Sequence, residues 1–219
     1  MSSSRCLTRK ERDRLAALSD LFIVSQEYKN KMVGKIFMYV FDNRYIEVYF
    51  KADNFKHLTD VASSLTPNQF YQNSVDRTLT TGQIDFNSRH PYRLAKNKLR
   101  HLSNFFDSLT SECFMQEDIT TDSGSYKFGT TEMNFSLLLI EDINLTTKVK
   151  RSDYYIAKSL RDKDCFDKSR AVHSVTHIFV RNNDEKKYSN ALYIDSNFKS
   201  QVPQEVKEKL ADNVLPLVD

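Results

Sequence analysis

Two stretches of the chain carry side chains suited to proton transfer and to holding an anion. In Phe55-Lys56-His57-Leu58-Thr59-Asp60, a histidine and a hydroxyl stand two positions apart, just after the run Tyr45-Ile46-Glu47-Val48-Tyr49-Phe50. If the strand continues through them, the two side chains share a face. Histidine titrates near pH 6.5 and so serves as either base or acid at neutral pH; a structural histidine bonding a carbonyl at a strand end is the plainer alternative. The second stretch is Tyr154-Tyr155-Ile156-Ala157-Lys158-Ser159-Leu160-Arg161-Asp162-Lys163-Asp164. Here a lysine ends a strand, Ser159 is placed to cap a brief turn or helix through Asp164, and Arg161 follows two residues on. Two cations and free backbone N–H groups can gather around an anion. A solvated turn in which Arg161 and Lys163 pair with Asp162 and Asp164 uses the same residues.

Other chemistries lack their usual signals. There is no GxGxxG, P-loop, HExxH or GxSxG. Of the five histidines, only His173 and His177 are spaced i, i+4, and they fall in an extended run where that spacing does not build a metal site. No metal and no cofactor is expected. Cys6, Cys113 and Cys165 are three and widely separated, which fits reduced thiols in a cytoplasmic protein. No apolar run approaches a membrane span, so no membrane partner is expected, and residues 1–6 show no secretion signal. With 219 residues, 40% hydrophobic and 28% charged, the chain suits a soluble domain over 1–219, with 1–33 as a helical N-terminal extension and 200–219 as a helical tail. The net charge of +3 is too small to argue for nucleic acid by itself.

The elements that must position these residues follow from local patterns. Thr8 and Glu11 form a capping box for a helix with Leu15, Leu18, Phe22 and Met32 near one face, ending before Gly34. Ile36–Phe41 and Tyr45–Phe50 form a β-hairpin about 42–44. Thr66-Pro67-Asn68-Gln69 starts a short helix carrying Phe70, Tyr71 and Val75. Pro91 starts a longer one with a stripe of Ala95, Leu99, Leu102, Phe106 and Leu109. Arg93, Lys96 and Arg100 lie on another face of that helix, a basic surface open to RNA, to protein or to water. Extended runs follow at 113–115, 126–128, 135–140 and 154–157, then a closing hairpin of 175–180 and 188–194, and Pro203 starts a last helix with Val206 and Leu210 inward. Helices mostly first and strands mostly last predict an α+β fold.

Phe55-Lys56-His57-Leu58-Thr59, Phe70-Tyr71, the lysine-bearing helix after Pro91, and Tyr154-Tyr155 with Lys158-Ser159-Leu160 resemble the phage-associated barnase/EndoU/colicin/RelE-like nucleases over roughly residues 15 to 195. The resemblance implies N-terminal helices packed on a mainly antiparallel sheet, and metal-independent cleavage of RNA by its own 2′-hydroxyl. Carried over residue by residue, it makes His57 the base or acid. Thr59 and Ser159 become ligands of phosphate oxygens, Lys158 and Arg161 stabilise the transition state, and Tyr71 stacks on a base or donates a proton. Arg93, Lys96 and Arg100 would then bind substrate. The implied setting is a toxin or host-takeover effector, with RNA and an antitoxin or host protein as partners. A catalytically silent protein that inhibits a host or defence protein through a charged surface is the alternative. Members of the family show His-Leu-Thr-Gly, and Asp60 stands at the glycine position, either opposing phosphate or orienting His57.

Overall fold

Helix α1 (Arg9–Lys31) begins with the expected capping box: the Thr8 hydroxyl accepts the N–H of Glu11, and the Glu11 carboxylate accepts the Thr8 N–H at 2.7 Å. The computed structural model describes residues 6–144 and 146–218; the expectation about a secretion signal in residues 1–6 falls almost wholly on residues 1–5, which lie outside them. Leu18, Leu21, Val24 and Tyr28 of α1 face the core, with Met32 just beyond its end. Leu15, expected in that stripe, is 47% exposed, because the first turns overhang the core, which begins at Ala17.

The chain turns at Gly34 (φ +77°) into β1 (Lys35–Phe41). Asp42 and Asn43, both at positive φ, make the tight two-residue turn into β2 (Arg44–Tyr49). Next come α2 (Asn54–Thr59), the two-residue strand β3 (Ala62–Ser63), α3 (Pro67–Val75) behind the predicted Thr66/Gln69 capping box, and β4 (Ile84–Asp85), which pairs with β3. The long helix α4 (Tyr92–Ser108) buries the predicted stripe and leaves Arg93, Lys96 and Arg100 in solvent. Strands β5 (Phe114–Thr121), β6 (Gly124–Thr131), β7 (Ser136–Ile143), β8 (Lys150–Arg161), β9 (Ala171–Asn182) and β10 (Asn190–Ile194) complete the sheet, and α5 (Gln204–Lys207) is a single turn near the end.

Two local expectations are corrected. Residues 54–59 are helix and not extended, so His57 and Thr59 point to different sides. Ser159 caps nothing: β8 runs unbroken through it to Arg161, held by pairing with β7 that no local propensity announces.

The strand order is β1-β2-β8-β7-β6-β5-β9-β10, and β9 also pairs with β1, so seven strands close into a ring of pairings. All the pairings are antiparallel except β2 with β8. The architecture is α+β. Helices α1–α4 cover one face, where Phe37, Tyr39, Phe41, Val48 and Phe50 meet Tyr28, Phe55, Phe70 and Phe105. The other face of β1, with Ile36, Met38 and Val40, is covered by Val206, Leu210, Val214 and Val218. The C-terminal segment therefore makes its expected contacts mostly without being helical. No helix among the described residues is long and apolar enough to cross a membrane.

Candidate active site

Helix α2 rests on β8 and α4, and this packing brings the two chemically equipped stretches together. Phe55 and Leu58 go into the core and leave His57 exposed on the outer side. The pairing of β7 with β8 slips between Leu138 and Leu139, so that Lys158 is the extra residue of a β-bulge. Bulges break the in–out alternation of a strand and re-aim a side chain. The Lys158 charge is felt at His57. The imidazole pKa is held below its ordinary 6.5, first by partial burial and then by the Lys158 and Lys56 cations, with Asp53 opposing them. The shift favours the neutral form of His57, which is the form that accepts a proton.

Helix α2 ends at Asp60 in the left-handed region (φ 57°, ψ 22°). Glycine is the usual residue at such a helix end, and aspartate is among the few others that tolerate it. The Asp60 carboxylate lies 3.1 Å from Nδ1 of His90 and 3.5 Å from Nζ of Lys98. Lys98 is only 6% exposed, and burial lowers its pKa, with Asp60 working against that shift and Arg161 adding to it. His57, Asp60 and His90, with Lys56 and Ser63, line a cleft of about 330 Å3. One wall is anchored by Lys56, whose ammonium donates to the carbonyls of Ser63 at 2.9 Å and Leu65 at 2.5 Å.

The other expected site residues are dispersed. Thr59 is fully buried and its hydroxyl donates to the Lys56 carbonyl at 3.0 Å, so it closes the helix instead of facing a phosphate. Ser159 pairs with Leu138 and shares the sheet face of Leu138, Ile119 and Cys165, away from α2. Arg161 is anchored to hydroxyls of the β5–β6 hairpin, Thr121 at 3.3 Å, Tyr126 at 3.4 Å and Ser123, while its charge reaches Lys98. Tyr71 is 7% exposed with its ring against Tyr28 and Phe55, which leaves no free face for a base. Beside Arg161, Asp162 accepts from His101 and, at 2.6 Å, from Asn97; burial alone would raise its pKa, but these bonds hold it low. Arg93, Lys96 and Arg100 lie exposed along α4, the helix that carries Lys98.

Sequence reasoning missed His90 and Lys98. Lys98 carried a signal: it stands three residues after Ala95 and four before Leu102, a cation on the buried stripe itself. His90 had none, since the loop that brings it to Asp60 is a tertiary arrangement. Among the described residues, no three His, Cys, Asp or Glu side chains converge as a metal-ligand set.

No curated protein and no solved structure matches the chain. Residues 20–197 match the model of the family described as phage-Barnase-EndoU-ColicinE5/D-RelE like nuclease4, PBECR4, and the chain belongs to that family.

Proposed function

We propose that the protein cleaves RNA without a metal ion, at the cleft between His57 and His90. His57 takes the proton of the ribose 2′-hydroxyl as its oxygen bonds to phosphorus. The bond from phosphorus to the 5′-oxygen breaks, and His90, held through Nδ1 by Asp60, protonates the leaving oxygen from its other ring nitrogen. The products are a 2′,3′-cyclic phosphate and a 5′-hydroxyl. Lys158, with Lys98 behind Asp60, offsets charge on the pentacovalent phosphorus. Arg93, Lys96 and Arg100 contact the RNA backbone beyond the cleft. Action as a toxin or host-takeover effector in the cytoplasm is part of the same proposal, supported by the phage association of the family.

One observation carries the proposal: two histidines line one cleft, one of them 3.1 Å from the Asp60 carboxylate that also lines it, and the other with its pKa held below the ordinary value, first by burial and then by neighbouring cations. The test is incubation of the purified protein with total RNA in EDTA, beside His57→Ala and His90→Ala. Each substitution is expected to slow cleavage by about 10²–10⁴-fold. Cleavage that ignores either substitution, or that stops in EDTA, overturns the assignment. No cleavage by the unmodified protein across several RNAs favours the silent protein that inhibits a host or defence protein.

A further inference from the structure

We infer that the cleft is one end of a continuous groove for single-stranded RNA, which crosses the β3–β4 ribbon and ends on an aromatic step made by Phe86 and Tyr92. The inference rests on the cleft being the RNA-cleaving site and says which form of RNA it takes and where the strand runs. The hollow at His57 and His90 ends on Ala62 and Ser63. Those same residues begin a second hollow of about 450 Å3, which continues along Gln83 to Asn87. Asn87 in turn borders a third, of about 380 Å3, walled by Phe86, Tyr92, Arg9 and Lys10. Each has the size of a small-ligand pocket, so the groove takes roughly one nucleotide per hollow.

The groove is held open by bonds that need no ligand. Lys56 fixes the carbonyls of Ser63 and Leu65 on one side, and the Ser63 hydroxyl donates to the Gln83 carbonyl at 2.7 Å across the ribbon. Lys10 at 2.8 Å and Arg14 at 2.6 Å clamp Asp85 and so tie the ribbon to the first turns of α1. Between step and cleft, the Asn87 side-chain oxygen accepts the N–H groups of Arg89 at 2.9 Å and His90 at 3.1 Å. This loop fixes the distance from Phe86 to His90, the distance from the stacking step to the acid.

The step is suited to a nucleobase. The Phe86 and Tyr92 rings meet edge to face with centroids 5.2 Å apart, and both stay partly exposed, whereas Tyr71 is covered. Aromatic rings at the wall of a groove are a usual platform for unpaired bases, because every base has a stackable face. A duplex keeps its bases stacked on each other and cannot use such a step. Charge is modest along this path: Lys10 and Arg14 are paired with Asp85, and Asp13 lines the third hollow beside Arg9, so stacking carries more of the affinity here than phosphate pairing does.

The measurement is binding of 2′-O-methyl oligonucleotides, which cannot be cleaved, together with turnover of RNA of matching lengths. A nonamer is expected to bind and to be cleaved better than a dinucleotide by about 10-fold or more, and a duplex of the same length to bind more weakly than the nonamer. Phe86→Ala and Tyr92→Ala, each checked for folding by circular dichroism and thermal unfolding, should raise the nonamer Kd by about 10-fold, and Phe86→Tyr should restore it. Equal handling of nonamer and dinucleotide, a duplex bound as well as the single strand, or a nonamer Kd indifferent to Phe86→Ala overturns the groove while leaving cleavage at His57 intact. If no RNA is cleaved but the length dependence and the Phe86 effect hold, the groove stands and the catalytic proposal falls.

Discussion

Asp60 joins backbone geometry to chemistry at a single residue. Its left-handed φ of 57° explains why glycine suits this position, and its carboxylate reaches both His90 and Lys98. Asp60→Gly keeps the turn and removes the carboxylate; Asp60→Ala removes the carboxylate and strains the turn as well. Both are expected to lower cleavage by unfixing His90, while urea unfolding should show the alanine form about 1–2 kcal/mol less stable than the glycine form. Equal stability of the two would mean that the conformation costs nothing. His57 gives a pH prediction. Cations near an imidazole disfavour its charged form, so the basic, neutral form persists to lower pH. The acid limb of the kcat/KM profile should therefore lie below pH 6.5, and Lys158→Ala should move it upward, toward but not to 6.5, because the burial that contributes most remains. A profile unmoved by Lys158→Ala would separate the two residues. His57 and Lys158 were legible by side-chain type, a group that titrates near neutrality and a cation beside hydroxyls, although neither stands at the strand end expected of it. His90 was not, since nothing local distinguishes a histidine before Pro91 from any loop histidine.

At the scale of elements, the long helices and the first hairpin were legible for reasons held in a few residues. Capping boxes at Thr8 and Thr66 and the buried stripe of α4 are local signals, and the structure follows them. Helix α2 was not legible: with six residues it has too few turns to show a period, and it is stabilised by Phe55 and Leu58 entering a core made by distant segments. The bulge at Lys158 was equally hidden, because it depends on register against β7. The same part of the sheet explains a glycine. A Cβ on Gly129 in β6 would stand 2.6 Å from Cδ1 of Ile119 and 3.0 Å from Cδ2 of Leu138, both fully buried. Gly129→Ala is expected to cost about 1–3 kcal/mol through overpacking, read as a shifted urea midpoint at constant slope. A smaller shift would mean that Ile119 turns aside freely.

The whole molecule depends on contacts between the ends of the sequence and its middle. Val48 and Tyr49 lie beside Tyr155 and Ile156, and β9 returns to β1, so the ring of strands closes only through pairings separated by more than a hundred residues. No window along the chain contains that information, which is why the class was legible and the closure was not. One consequence concerns β1, which is buried on both faces. Helices guard one side; the other is guarded by the segment after β10, tied down by the Tyr188–Leu210 bridge, by the Tyr188 hydroxyl donating to Glu47 at 2.6 Å and by Lys209 at 3.5 Å from the same carboxylate. Val206, Leu210, Val214 and Val218 are each no more than 1% exposed there. Four aliphatic side chains at about 1.5–3 kcal/mol each amount to much of the roughly 5–15 kcal/mol that holds a domain folded. A chain ending at residue 201 should therefore lose cooperative unfolding and bind a hydrophobic dye through bared Ile36, Met38 and Val40. Leu210→Ala, a milder change, should cost about 2–5 kcal/mol and remain folded. Because this segment lies across the sheet from α2, Leu210→Ala should lower the melting temperature while leaving the pH profile of cleavage in place; a shifted profile would mean that the C-terminal cover acts on the His57 cleft through the sheet.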